Sequence, residues 1–65
     1  MKVDKLRGII VSKGMTQEQV ARLIGISPKT FYNKMKKHVF GTDEVQAMVE
    51  LLEIDDPADI FLHKE

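Results

Sequence analysis

Apolar residues recur every three or four positions along the chain, in groups separated by glycine, proline and small polar residues. Val3, Leu6, Ile9 and Ile10 have helical spacing, and Lys13-Gly14 reads as the stop, because glycine takes the left-handed conformation that ends a helix. Gly8, inside this helix, costs roughly 1 kcal/mol relative to alanine and so predicts a close approach to another helix. Thr16-Gln17-Glu18-Gln19 matches a capping box, in which a hydroxyl and a side-chain amide satisfy two orphan backbone donors. Val20, Leu23 and Ile24 form the stripe of the second helix, which ends at Gly25. Ser27-Pro28 opens a third, serine as the cap and proline with its preset φ in the first turn. At ~100° per residue, Phe31, Met35 and His38 share one side of this helix, and Lys29, Tyr32, Asn33 and Lys36 point the other way. His38 therefore reads as a packing histidine. Val39 and Phe40 are expected to fold back on the core in a loop closed by Gly41. Thr42 caps a fourth helix, with Asp43 and Glu44 suited to its N-terminal dipole and Val45, Met48, Val49 and Leu52 as its buried stripe. Asp56-Pro57 starts a last short turn carrying Ile60, Phe61 and Leu62. The first half has no alternating strand pattern, and the fold class expected is all-α: a compact bundle of about five short helices in one domain, 1–65.

Size narrows the possible functions. A 65-residue chain, 43% hydrophobic, has one modest core and buries only ~60% of the surface it exposes when unfolded. It has no cysteine, which removes disulfides, thiolate metal sites and a thiol nucleophile together. His38 and His63 are far apart and have no cysteine partners for a structural zinc. A cleft of ~300–1,000 Å³ would consume much of so small a core, and no Ser/His/Asp set or carboxylate pair has a plausible shared pocket. An enzyme, a cofactor, a metal and a small-molecule substrate are accordingly not expected. The longest aliphatic run, Ile9-Ile10-Val11, is far short of the ~20 residues of a membrane span. Met1-Lys2-Val3-Asp4-Lys5 lacks the apolar core of a signal peptide, so a cytoplasmic location is expected.

A formal net charge of zero hides a sharp division. From Met1 to His38, nine basic residues face only Asp4 and Glu18, a balance of +7. From Val39 to Glu65 the single base Lys64 faces eight acids, a balance of −7. The run from Lys29 to Lys37 holds no acid at all. A basic half of this kind suggests a polyanionic partner; the alternative is that the two halves attract one another and keep the domain soluble.

The segment Gln17 to Met35 is where the chain becomes specific. Its spacing Val20-Ala21, Ile24-Gly25-Ile26 and Phe31, within MTQEQVARLIGISPKTFYNKMKK, resembles the helix-turn-helix of the Cro and phage-repressor family, the XRE-like regulators. The physical roles agree. Ala21 is small where the third helix crosses the second, Gly25 supplies φ > 0 in the turn, and Val20, Ile24, Ile26 and Phe31 lock the pair. Many members have an apolar residue where this chain has Lys34; Met35 is taken as the packing residue, with the lysine stem passing the core edge.

The resemblance implies a lambda-repressor-like domain with its helix-turn-helix at about 16–36, and a third helix entering the major groove of an operator. It implies a phosphate contact from Gln17 and a further one from Ser27. Base edges would be read by Lys29, Tyr32 and Asn33, with Pro28 and Thr30 beside them; lysine reaches guanine O6/N7, asparagine pairs with adenine, and a proline ring or threonine methyl meets a thymine methyl. Lys36, Lys37 and the backbone around Gly41-Thr42 would hold flanking phosphates. Each has a plainer alternative: Gln17 and Gln19 as helix caps, Ser27 and Pro28 as a helix start, Tyr32 leaning on the core rim, Lys29 and Asn33 merely solvated. The function expected is a sequence-specific DNA-binding regulator, repressor or Cro-like, acting by occupancy of double-stranded DNA, with a weak homodimer forming mainly on the operator. Phe40, Ile60, Phe61 and Leu62 are most simply core, and the alternative is that part of Ile60 to Leu62 serves as a dimer surface. The competing function is a protein-interaction module, such as an antirepressor, that docks a basic partner through its acidic half.

Overall fold

Local chemistry at the helix ends divides the chain as the spacing predicts. The computed structural model describes residues 1–62 and contains five helices: α1 (Val3–Ser12), α2 (Gln17–Leu23), α3 (Pro28–Lys37), α4 (Thr42–Leu52) and α5 (Pro57–Phe61). His63, Lys64 and Glu65, which entered the histidine and charge readings, lie outside the described residues. After α1 the chain turns at Gly14, φ 72°, whose N–H donates to the Val11 carbonyl. The capping box of α2 is complete: Gln19 N–H donates to the Thr16 hydroxyl at 3.1 Å, and Thr16 N–H donates to Gln19 Oε1 at 2.9 Å. Gln19 thus caps α2. Ser27 caps α3 with Pro28 at its first turn, and Asp56 caps α5 ahead of Pro57.

Several readings are corrected, most of them at helix ends. The N-cap of α4 is Gly41, not Thr42, because the Glu44 carboxylate reaches back to accept the Gly41 N–H at 2.8 Å. His38 is exposed rather than packed: α3 stops at Lys37 and His38 takes the left-handed conformation, φ 60°, so helical spacing no longer governs where it points. Leu23, the last residue of α2, is 62% exposed; Ala21 is buried in its place because α3 packs on that side. Of the loop after α3 only Phe40 folds back, its ring centroid 5.2 Å from that of Phe31, while Val39 is exposed. Gly8 is exposed and a Cβ there would meet nothing within 4 Å, so no helix approaches it.

The core is one cluster. Phe31, Leu6, Ile10, Met48, Leu52, Ile60 and Val20 are enclosed, joined by Val3, Ala21, Met35 and Ile54. Ile9, Ile24, Ile26, Val45, Val49 and Phe61 are half-buried, and Leu62 is exposed. Helices α2 and α3 pack most extensively. Ala21 has no exposed surface at their crossing, and its carbonyl accepts the Ile26 N–H at 3.0 Å across the turn. Gly25, φ 90°, makes that turn without the cost a side chain would bring.

The two charged halves do attract. Asp59 on α5 accepts from both Lys2 (3.0 Å) and Lys5 at the start of α1. Lys13 meets Glu53 at 2.9 Å and Lys34 meets Glu44 at 2.6 Å. Hydrogen bonds from Lys5, and then Lys2, hold the Asp59 carboxyl at about 2, below its ordinary value of 3.8. The Lys13 and Lys34 hydrogen bonds lower Glu53 and Glu44 in the same direction. A carboxyl whose folded pKa is depressed stabilises the fold in full above its unfolded value, and that contribution vanishes as pH falls through the folded one. The thermal midpoint is therefore expected to hold level from pH 7 to about 5 and to decline between about pH 4 and 2. Asp59→Asn should lower the midpoint at pH 7 and converge with the parent near pH 2; a constant gap in a pH series of melting curves would contradict this.

Candidate nucleic-acid interface

Helix α3 has two unlike sides. Phe31 and Met35 are buried and clamp it to the core, and the opposite side presents Lys29, Tyr32, Asn33, Lys36 and Lys37 to solvent, with Pro28 and Thr30 half-buried at its start. Seven of the nine expected site residues therefore lie on this one helix, and Ser27 is its cap. Gln17 stands apart, half-buried at the first position of α2.

The local bonds distinguish among them. Ser27 Oγ accepts the Thr30 N–H at 3.1 Å and donates to Thr30 Oγ1 at 2.8 Å, so its hydroxyl is occupied within the helix start. Tyr32 is 49% exposed and sets its ring edge-on to Phe31, centroids 6.5 Å apart, so it leans on the core rim while its outer part stays accessible. Lys36 and Lys37 mark opposite flanks of the helix. Lys36 lines a groove shared with Lys2, Asp4 and Arg7 of the α1 start. Lys37 lines a separate notch with Thr30, Asn33, Lys34 and Val39.

Ion pairing separates the lysines further. Among the described residues every lysine and arginine outside α3 has a carboxylate within 4 Å: Lys2 and Lys5 on Asp59, Arg7 on Asp4, Lys13 on Glu53, Arg22 on Glu18. On α3, Lys34 is half-buried and held by Glu44, whereas Lys29, Lys36 and Lys37 have no carboxylate partner among the described residues. Lys36 and Lys37 fall in the last turn, where cations also suit the helix dipole. Lys34 was read as a stem passing the core edge; its ammonium in fact closes on Glu44, which at once caps α4 and joins it to α3. That link spans ten residues across a loop, and no local signal marks it. Val39, 63% exposed beside Asn33, is the other surface residue that spacing did not single out.

No helix among the described residues is long and apolar enough to cross a membrane. Among the same residues no group of three or more His, Asp or Glu could hold a metal ion. Residues 14–38 match the model of a helix-turn-helix family described as bacterial regulatory protein, Fis family. The matched stretch runs from the turn before α2 to the end of α3, so the two helices that pack most extensively carry a helix-turn-helix of the DNA-binding regulator kind. No curated protein and no solved structure matches the chain.

Proposed function

We propose that this chain, as one domain over residues 1–65, is a sequence-specific DNA-binding regulator of the Cro and phage-repressor type that lays α3 in the major groove and acts by occupying an operator. The observation that carries the reading is the distribution of unpaired charge: internal ion pairs engage every described lysine and arginine except Lys29, Lys36 and Lys37, and those three share the solvent side of α3. Unpaired lysines on a helix fixed by its other side suit a partner whose phosphates supply the missing negative charge. Lys29 and Asn33 read base edges, with Tyr32, Pro28 and Thr30 beside them; Lys36, Lys37 and Gln17 hold phosphates. Ser27 takes part only by giving up its bond to Thr30. In the acidic half Glu44, Glu53 and Asp59 are paired, whereas Asp43, Glu50, Asp55 and Asp56 have no basic partner within 4 Å among the described residues, so it is the helix-turn-helix match, and not the pairing of acids, that favours DNA over a basic protein partner. Two copies on half-sites ~34–36 Å apart form a homodimer on the DNA, with exposed Leu62 and half-buried Phe61 on the surface available for it.

The test is enrichment of duplexes from a random library, followed by a titration of the selected site across salt. A recurring sequence should emerge, and log affinity should fall against log salt with a slope of ~0.9 per phosphate contacted. Failure to enrich any sequence at low salt would overturn the reading.

A further inference from the structure

We propose that Val39, in the turn after α3, is a specificity-determining residue that receives the 5-methyl group of a thymine in the major groove. The inference deepens the DNA-binding reading and rests on it. At the end of α3 the left-handed His38 reverses the chain, and the Val39 N–H donates back to the Lys34 carbonyl at 3.0 Å. This bond pins Val39 beside the outer side of the helix, although the residue is 63% exposed and adds nothing to the core. It lines a notch of about 300 Å³ with Thr30, Asn33, Lys34 and Lys37.

The chemistry of the notch is mixed in a way that suits one base pair. Val39 supplies the apolar wall. The Thr30 hydroxyl is drawn toward Ser27, which leaves its methyl as the group that can extend that wall. Asn33 offers an amide able to pair with adenine N6/N7, and Lys37, without a carboxylate partner among the described residues, stands ready for a phosphate at the groove edge. Lys34 is neutralised by Glu44, so it does not draw a phosphate into the notch. An A·T pair presents to the major groove an adenine edge for Asn33 and a thymine methyl for Val39, a combination that G·C lacks.

The experiment takes the site enriched by the parent chain and replaces each thymine in turn by deoxyuridine, which removes the methyl and leaves the hydrogen-bonding edge unchanged. Binding of the parent and of Val39→Ala is measured on every duplex by fluorescence anisotropy. The parent is expected to lose roughly fourfold at one thymine of each half-site, the worth of one buried methyl. Val39→Ala should lose a similar factor on the thymine duplex and nothing further on the uridine one. A parent indifferent to uridine at every position, or a loss undiminished in Val39→Ala, overturns the assignment while the regulator reading stands. Absence of any enriched site overturns both. Because Val39 is exposed, the variant should melt with the parent, and its melting curve verifies that binding alone has changed.

Discussion

A chain carrying Lys29→Gln, Lys36→Gln and Lys37→Gln together is expected to fold as the parent does and to bind the selected site at least about a hundredfold more weakly. The three substitutions act through two mechanisms. In the proposed docking Lys36 and Lys37 contact phosphates, so their loss should weaken binding evenly on all sequences and reduce the salt slope by about 1 each. In the same docking Lys29 meets base edges, so its loss should cost about 1–3 kcal/mol on the selected site and relax the preference at one position. Folding should be nearly indifferent, since none of the three has a carboxylate partner among the described residues. The only structural role at stake is the favourable placement of Lys36 and Lys37 near a helix C-terminus, typically 0.3–1 kcal/mol each. Lys13→Gln is the control for each α3 lysine replaced singly: it removes one charge from a residue tied to Glu53, and should leave the affinity within about twofold. Equal losses from Lys13→Gln and from each single α3 lysine variant would mean that bulk charge, and not the surface of α3, drives binding.

Phe31→Ala should have the largest effect on the fold. Phe31 has no exposed surface, anchors α3, and meets Phe40 across the core at 5.2 Å. Emptying such a site costs about 3–5 kcal/mol, while a chain of this length has a total stability of only about 3–10 kcal/mol. A large share of the variant should be unfolded at 25 °C by circular dichroism. Phe31→Leu keeps most of the volume and should lose less than about 1.5 kcal/mol, lowering the midpoint by several degrees. DNA binding should track the folded fraction in both, because Phe31 faces away from the solvent side of α3. A folded Phe31→Ala with undiminished stability would mean that α3 is not held through this residue.

What was legible in the sequence is what neighbouring residues decide between themselves. The Thr16/Gln19 box, the Ser27-Pro28 and Asp56-Pro57 starts, and the glycines at 14 and 25 are chemistry within four residues, and each stands where the pattern placed it. The inward Phe31 and Met35 and the outward Lys29, Tyr32, Asn33 and Lys36 follow from the same local periodicity. Apart from Gly8, in the middle of α1, where no helix approaches, the failures lie where that periodicity was carried to or past a helix end. His38 would sit on the core side only if α3 continued. Leu23 would join the stripe only if a neighbour reached the last turn of α2, and α3 packs beside Ala21 instead. Gly41 replaced Thr42 as the cap because Glu44, itself held by Lys34 from another helix, outcompeted a hydroxyl; no window of adjacent residues contains that pair. The charge division was plain from composition, but which lysines it leaves unpaired depends on where α1 and α5 meet, and only the three-dimensional arrangement decides that.

The most direct measurement is a titration of the isotopically labelled chain with the selected duplex, followed through its backbone amide resonances. The largest shifts should fall on Gln17, on the stretch from Lys29 to Lys37 and on Val39, with Glu53 and Asp59 nearly still. Shifts centred on the acidic residues of α4 and α5, with α3 undisturbed at saturation, would contradict a DNA-reading helix.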